Sequence, residues 1–228
     1  MIRRILFYAV WLLVVAYLLN QVRRPSRWIG RSFLWLMNFS HSALTDWGLQ
    51  HVPIEERLTI LDVGCGGGRT IEKLAAMSAD GMIHGVDYAA GSVAASSARN
   101  AELIEKGRVQ IHRASVSQLP FPDNQFDLIT AVETQYYWPD LPNDMREILR
   151  VLKPGGSLIV IAEHHKDGKP DPLQSLAMKL LRSSVLSLDD QRTLFSTAGY
   201  EEVRMFEEKS KGWFCGVGCK PRGSLEMT

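Results

Sequence analysis

The sequence predicts an α/β fold, a doubly wound and mostly parallel sheet of seven strands with helices placed ahead of it. Three observations predict it. Strand-like apolar runs alternate with helical patterns from residue 58 onward. The first run breaks at once into a glycine turn, Gly64-Cys65-Gly66-Gly67-Gly68. The last two runs have no clear helix between them, which reads as an antiparallel hairpin.

Each element has a local reason. Gly30 to Gln50 reads as one or two helices, strongly apolar through Phe33, Leu34, Trp35, Met37 and Phe39. Such helices suit a cap over a cleft or a position on a bilayer surface. Strand one is Leu58–Val63, followed by a helix near Thr70–Ser78. Strand two is Met82–Val86, followed by a helix near Ser92–Lys106. Strand three is Val109–Arg113, and strand four is Phe126–Val132 with a helix near Asn143–Val151 after it. The turn Leu152-Lys153-Pro154-Gly155-Gly156 introduces strand five, Ser157–Ala162. A helical stretch covers Leu173–Ser184 and Asp189–Ala198, the second part stopped by Gly199. Strands near Glu202–Glu207 and Trp213–Cys219 finish the sheet.

The chain of 228 residues is long enough for one domain with a sizeable core. A net charge of +1 gives no global attraction to nucleic acid, and no Lys/Arg cluster is interleaved with aromatics. No nucleic-acid partner is therefore expected. The three cysteines make no disulfide framework, and no Cys/His spacing suits a metal. No metal site is expected, and a reducing setting is the simpler reading.

The start of the chain is unusual. Ile5 to Leu19 contains no charged residue. Extended to Val22, a helix there would be about 27 Å long at ~1.5 Å per residue. Flanking Arg3, Arg4, Arg23 and Arg24 would close the gap to a hydrocarbon core by snorkelling. Residues 1–24 are thus expected to be a membrane anchor, with a helix buried in protein and a cleaved signal peptide as the alternatives. Arg23, Arg24, Arg27 and Arg31 outnumber Arg3 and Arg4, which places the downstream domain in the cytoplasm by the positive-inside rule. The expected organisation is an anchor at 1–24, a helical cap at 25–57, a domain at 58–221 and a tail at 222–228.

The glycine spacing narrows the ligand. A dinucleotide fingerprint, G-x-G-x-x-G, would need a third glycine where Arg69 or Ile71 stands. The phosphate loop G-x-x-x-x-G-K-[ST] is also absent. What stands here is D-x-G-x-G-x-G from Asp62 to Gly68. It resembles the S-adenosylmethionine loop of class I methyltransferases. Gly85-Val86-Asp87, Ser115-Val116-Ser117-Gln118-Leu119-Pro120-Phe121-Pro122-Asp123 and the Lys153-Pro154-Gly155-Gly156 turn follow in the family's order. The family usually has Asp where Ser115 stands.

The resemblance implies the Rossmann-like methyltransferase fold, S-adenosylmethionine as cofactor and a small-molecule acceptor. It implies that Asp62 meets the ammonium of the methionine part, and that Gly64, Cys65, Gly66 and Gly68 lie against the ligand. Asp87 would take the ribose hydroxyls, a cap for the helix starting near Gly91 being its bland alternative, with Tyr88 beside it, and Ser115 and Val116 would lie on the adenine side. The transferred methyl would point at the loop after strand four, Glu133-Thr134-Gln135-Tyr136-Tyr137-Trp138. Glu133 would orient cofactor or acceptor, and pairing with a base such as Arg146 is its bland alternative. Tyr136, Tyr137 and Trp138 either bury against the N-terminal helices or line a pocket for a flat or apolar acceptor. His164, ending strand five, and His41, in the preceding helix, are candidate general bases beside Glu133.

Three functions compete at this point. The first is a methyltransferase for a small, lipophilic acceptor met at the membrane surface. The second is a catalytically silent sensor or assembly protein that binds the same cofactor. The third is a nicotinamide-dependent reductase, disfavoured by the glycine spacing.

Overall fold

The computed structural model describes residues 42–163, 165 and 184–223. One seven-stranded sheet runs through it in the order β3-β2-β1-β4-β5-β7-β6. The strands are β1 (Thr59–Val63), β2 (Met82–Asp87), β3 (Val109–Arg113), β4 (Phe126–Val132), β5 (Leu152–Ala162), β6 (Glu201–Glu208) and β7 (Trp213–Cys219). The first five pair in parallel, and β7 is antiparallel to both β5 and β6. The expected doubly wound sheet and closing hairpin are both present.

Alternation along the strands builds two cores, one per face. Ile60, Leu128, Ile159 and Val217 face one side. There they meet Leu44 of α1 (Ser42–Leu49) and Ile71 and Leu74 of α2 (Arg69–Met77). Leu61, Ile129, Leu158 and Val160 face the other, against Met145 and Ile148 of α5 (Leu141–Val151) and Phe195 of α6 (Leu188–Ala198). Gly48 of α1 sits on Ile161, so close that an added Cβ would overlap it. This contact presses the helix flat on the sheet. The helix ends are specified locally. Asp140 accepts the Asn143 amide N–H at the start of α5. Ser187 and Asp190 form a capping box on α6, and Gly199 closes it at φ 103°.

Two expectations are corrected. The single helix at 92–106 is two, α3 (Ala90–Arg99) and α4 (Ala101–Glu105). The chain breaks at Asn100, whose side-chain amide donates to the Gly68 and Ser96 carbonyls, each at 3.0 Å. Local turn chemistry at Asn outweighs helical periodicity there. Strand five begins at Leu152, so the Lys153–Gly156 turn lies inside the strand. Gly155, at φ 80°, absorbs the irregularity, and its N–H donates to the Lys220 carbonyl at 2.9 Å.

The expected anchor at 1–24, His41, His164 and the helix over 173–183 lie outside the described residues. Among the described residues no helix is long and apolar enough to cross a membrane.

Candidate cofactor and acceptor site

The site begins where β1 ends. Gly64, Gly66 and Gly68 adopt φ values of 74°, 51° and 77°, conformations that favour glycine. Gly64 and Cys65 both donate their N–H groups to the Val86 carbonyl, at 2.8 and 3.0 Å, bending the loop toward β2. A Cβ on Gly64 would overlap the Thr134 side chain. One on Gly68 would lie 2.5 Å from Ser96 Oγ and Asn100 Nδ2. The loop is therefore clamped on three sides. Thr134 stands behind it, Asn100 binds the Gly68 carbonyl, and Arg99 Nε donates to the Gly67 carbonyl at 3.1 Å. Sequence reasoning passes over these three residues, because only the packing of α3 and β4 brings them to the loop.

Two acids flank the loop on neighbouring strands. Asp62 is 2% exposed, and its Oδ1 accepts the Thr130 hydroxyl at 2.7 Å. Burial pushes its pKa from 3.8 up to about 7, opposed by the Thr130 bond and reinforced by the Asp87 charge. Thr130 carries no signal in the sequence either. The parallel register that pairs Asp62 with Thr130 supplies it. Asp87 ends β2, buried, with Oδ2 accepting the Gly66 N–H at 3.1 Å and Oδ1 the Ala89 N–H at 2.8 Å. Burial raises its pKa as well, against those hydrogen bonds and one from Ser92. Two backbone donors fix the carboxylate plane and leave lone pairs on both oxygens.

The remaining cofactor-side residues differ in their exposure. Tyr88 is exposed, and its carbonyl accepts from Arg113 Nε at 3.3 Å. Ser115 Oγ accepts the Ser117 N–H at 3.2 Å, while Val116 is buried in the core with Leu119 and Phe121. Arg150 tethers this segment through the Phe121 carbonyl at 2.9 Å and the Asp123 carboxylate at 2.7 Å. Cys65 is buried, which pushes its thiol pKa well up and keeps it a packing group.

At the ends of β4 and β5 lie the residues expected on the acceptor side. Glu133 holds a left-handed φ of 55°, uncommon for a residue with a side chain. Its Oε1 accepts the Glu163 N–H at 2.5 Å and the Tyr136 hydroxyl at 3.4 Å. Burial and the nearby Glu163 carboxylate push its pKa from 4.5 to about 8. Arg146 donates instead to Asn143 Oδ1, so its described partner is on its own helix. The three aromatics divide. Tyr136 and Trp138 are buried in the core cluster, and Tyr137 is half-buried against it. His165 is buried, with Nε2 3.4 Å from Glu207 Oε1.

Comparison with known proteins bears on the family and the fold. A family model described as a methyltransferase domain matches residues 61–160. A 27-O-demethylrifamycin SV methyltransferase of Amycolatopsis mediterranei (strain S699) is 29% identical over 163 residues, 69% of this chain and 59% of that protein. A demethylmenaquinone methyltransferase of Symbiobacterium thermophilum is 37% identical over 103 residues, 45% of this chain and 41% of that protein. This chain thus spans about half the length of these two relatives. Among solved structures, a SAM-dependent methyltransferase from Aquifex aeolicus superposes with a TM-score of 0.65 at 22% identity, covering 82% of this chain and 96% of that one.

The class I methyltransferases that the glycine loop resembles use S-adenosylmethionine, and the residues present fit it. A loop without side chains lies between two buried carboxylates. Among the described residues, one has no cation among its hydrogen-bond partners, and the other is held for a pair of hydroxyl donors.

Proposed function

We propose, from the premise that this chain belongs over residues 61–160 to the class I methyltransferases, that it transfers the methyl group of S-adenosylmethionine to a small, lipophilic acceptor. The observation that carries the reading is the buried Asp62 beside a loop bent by Gly64, Gly66 and Gly68. A carboxylate buried without a countercharge is costly, and a ligand ammonium would remove that cost.

The cofactor supplies a methyl group already activated on sulfonium. Asp62 then holds the ammonium, the glycine backbone lies against the ligand, and Asp87 accepts from the ribose hydroxyls. Glu133 receives the acceptor's proton once it has lost its own near pH 8; the Glu163 N–H and the Tyr136 hydroxyl favour its carboxylate form against burial. What the protein adds is chiefly alignment and exclusion of water.

The lipophilic acceptor is suggested by the apolar run 5–19 and by the relative whose name specifies demethylmenaquinone. In this reading residues 1–24 hold the catalytic domain at the cytoplasmic face of a membrane, where such an acceptor is met. The test incubates detergent-solubilised protein with methyl-labelled S-adenosylmethionine and membrane extract. Label is expected in lipid-soluble products. Label confined to water-soluble products rejects the lipophilic acceptor. Cofactor binding without any S-adenosylhomocysteine formation favours the catalytically silent sensor.

A further inference from the structure

Gln135 follows Thr134, the residue packed against Gly64, and opens the 3₁₀ turn Gln135–Tyr137. Gln191 lies in the first turns of α6. The two side chains meet, with Gln191 Nε2 donating to Gln135 Oε1 at 2.8 Å. They are 5% and 2% exposed. Among the described residues, Gln135 Nε2 and Gln191 Oε1 are both buried and have no hydrogen-bond partner. Trp138 Nε1, three residues on, is buried and unpartnered there as well. Turning both amides over changes nothing, because one N–H and one C=O remain open in either orientation.

Buried polar groups in proteins are almost always satisfied, so an open donor and an open acceptor on two bonded amides call for an explanation. Their place supplies one. Gln135 stands in the loop after β4, one residue beyond the side chain that abuts the glycine loop, and Gln191 reaches it from α6. This argument rests on the methyltransferase reading above. We infer that the Gln135–Gln191 amides recognise a hydroxyl group on the methyl acceptor. A hydroxyl oxygen accepts from Gln135 Nε2 while its proton is donated to Gln191 Oε1. A ketone or an ether satisfies only the first, and an ammonium only the second. The acceptor class is then a hydroxyl-bearing molecule, and methyl ethers of it are rejected because one amide stays unpaired.

The test uses the full chain loaded with S-adenosylhomocysteine, and two probes, 1-naphthol and 1-methoxynaphthalene. Their flat rings suit a site beside Tyr137. 1-Naphthol is expected to bind at least about tenfold more tightly than its methyl ether, the worth of about one net hydrogen bond. It is also expected to shift the side-chain amide resonances of Gln135 and Gln191. Gln191→Met and Gln135→Met are near in size to the native side chains. Each should abolish the preference and leave S-adenosylhomocysteine affinity unchanged. Equal binding of the two probes, no binding of 1-naphthol, or a preference that survives both substitutions overturns the inference and leaves the methyltransferase reading standing. Failure of the unaltered chain to bind S-adenosylhomocysteine overturns both.

Discussion

Replacing Asp62 by asparagine should stabilise the ligand-free protein at pH 8 and cripple cofactor binding. Asp62 is 2% exposed, and burial moves its pKa from 3.8 to about 7. The folded state therefore holds a proton on Asp62 that the unfolded state has released above pH 4. Stability then falls as pH rises from about 4 to about 7, and the full cost is present above that. At ~1.4 kcal/mol for each tenfold change in proton affinity, the cost at pH 8 is about 4 kcal/mol as an upper figure. The introduced amide still accepts from Thr130 through its oxygen and carries no charge. Urea unfolding of both proteins at pH 5 and pH 8 measures the effect. Asp62→Asn should be more stable than the native chain by roughly 1–2 kcal/mol at pH 5 and by about 4 kcal/mol at pH 8. Calorimetry at pH 8 should show S-adenosylmethionine affinity reduced by at least about 100-fold, since an ammonium loses its carboxylate. A stability difference that does not change with pH, or a variant less stable at pH 8, would refute the burial argument. Unchanged cofactor affinity would refute the assignment of the ammonium to Asp62.

Other expectations follow from single contacts. Asp87→Ala removes the acceptor of the Gly66 and Ala89 N–H groups and of the ribose hydroxyls, and should weaken S-adenosylmethionine binding by about 10- to 100-fold in a calorimetric titration. Gly64→Ala forces a side chain into φ 74° and onto Thr134, so thermal melting should drop by several degrees and cofactor binding should be lost. Thr134→Ala in the same chain should recover part of the stability. Turnover should rise with pH through about 8, where Glu133 loses its proton, and Glu133→Gln should flatten that rise while leaving cofactor affinity within a few-fold. Ser187→Ala deletes the α6 capping box and should cost about 1 kcal/mol in urea unfolding, without altering the pH profile.

The chain's own order of residues determined the architecture and the cofactor loop. Apolar runs marked all seven strands, and the strand–glycine–helix junction at Asp62–Gly68 located the candidate cofactor loop. These features are local, because hydrophobic period, glycine and caps act within a few residues. The long-range partners were not legible. Thr130 reaches Asp62 through sheet register, Thr134 and Asn100 reach the glycines through packing, and Gln191 reaches Gln135 through the seating of α6. The division of the three aromatics was likewise a tertiary outcome, since Tyr136 and Trp138 found a core to bury in while Tyr137 did not bury fully. Periodicity records which face of a strand or helix is apolar, and carries no information about which distant residue will stand opposite. The perturbed acidity of Asp62 and Glu133 is of that second kind, because desolvation is a property of everything packed around a carboxyl group.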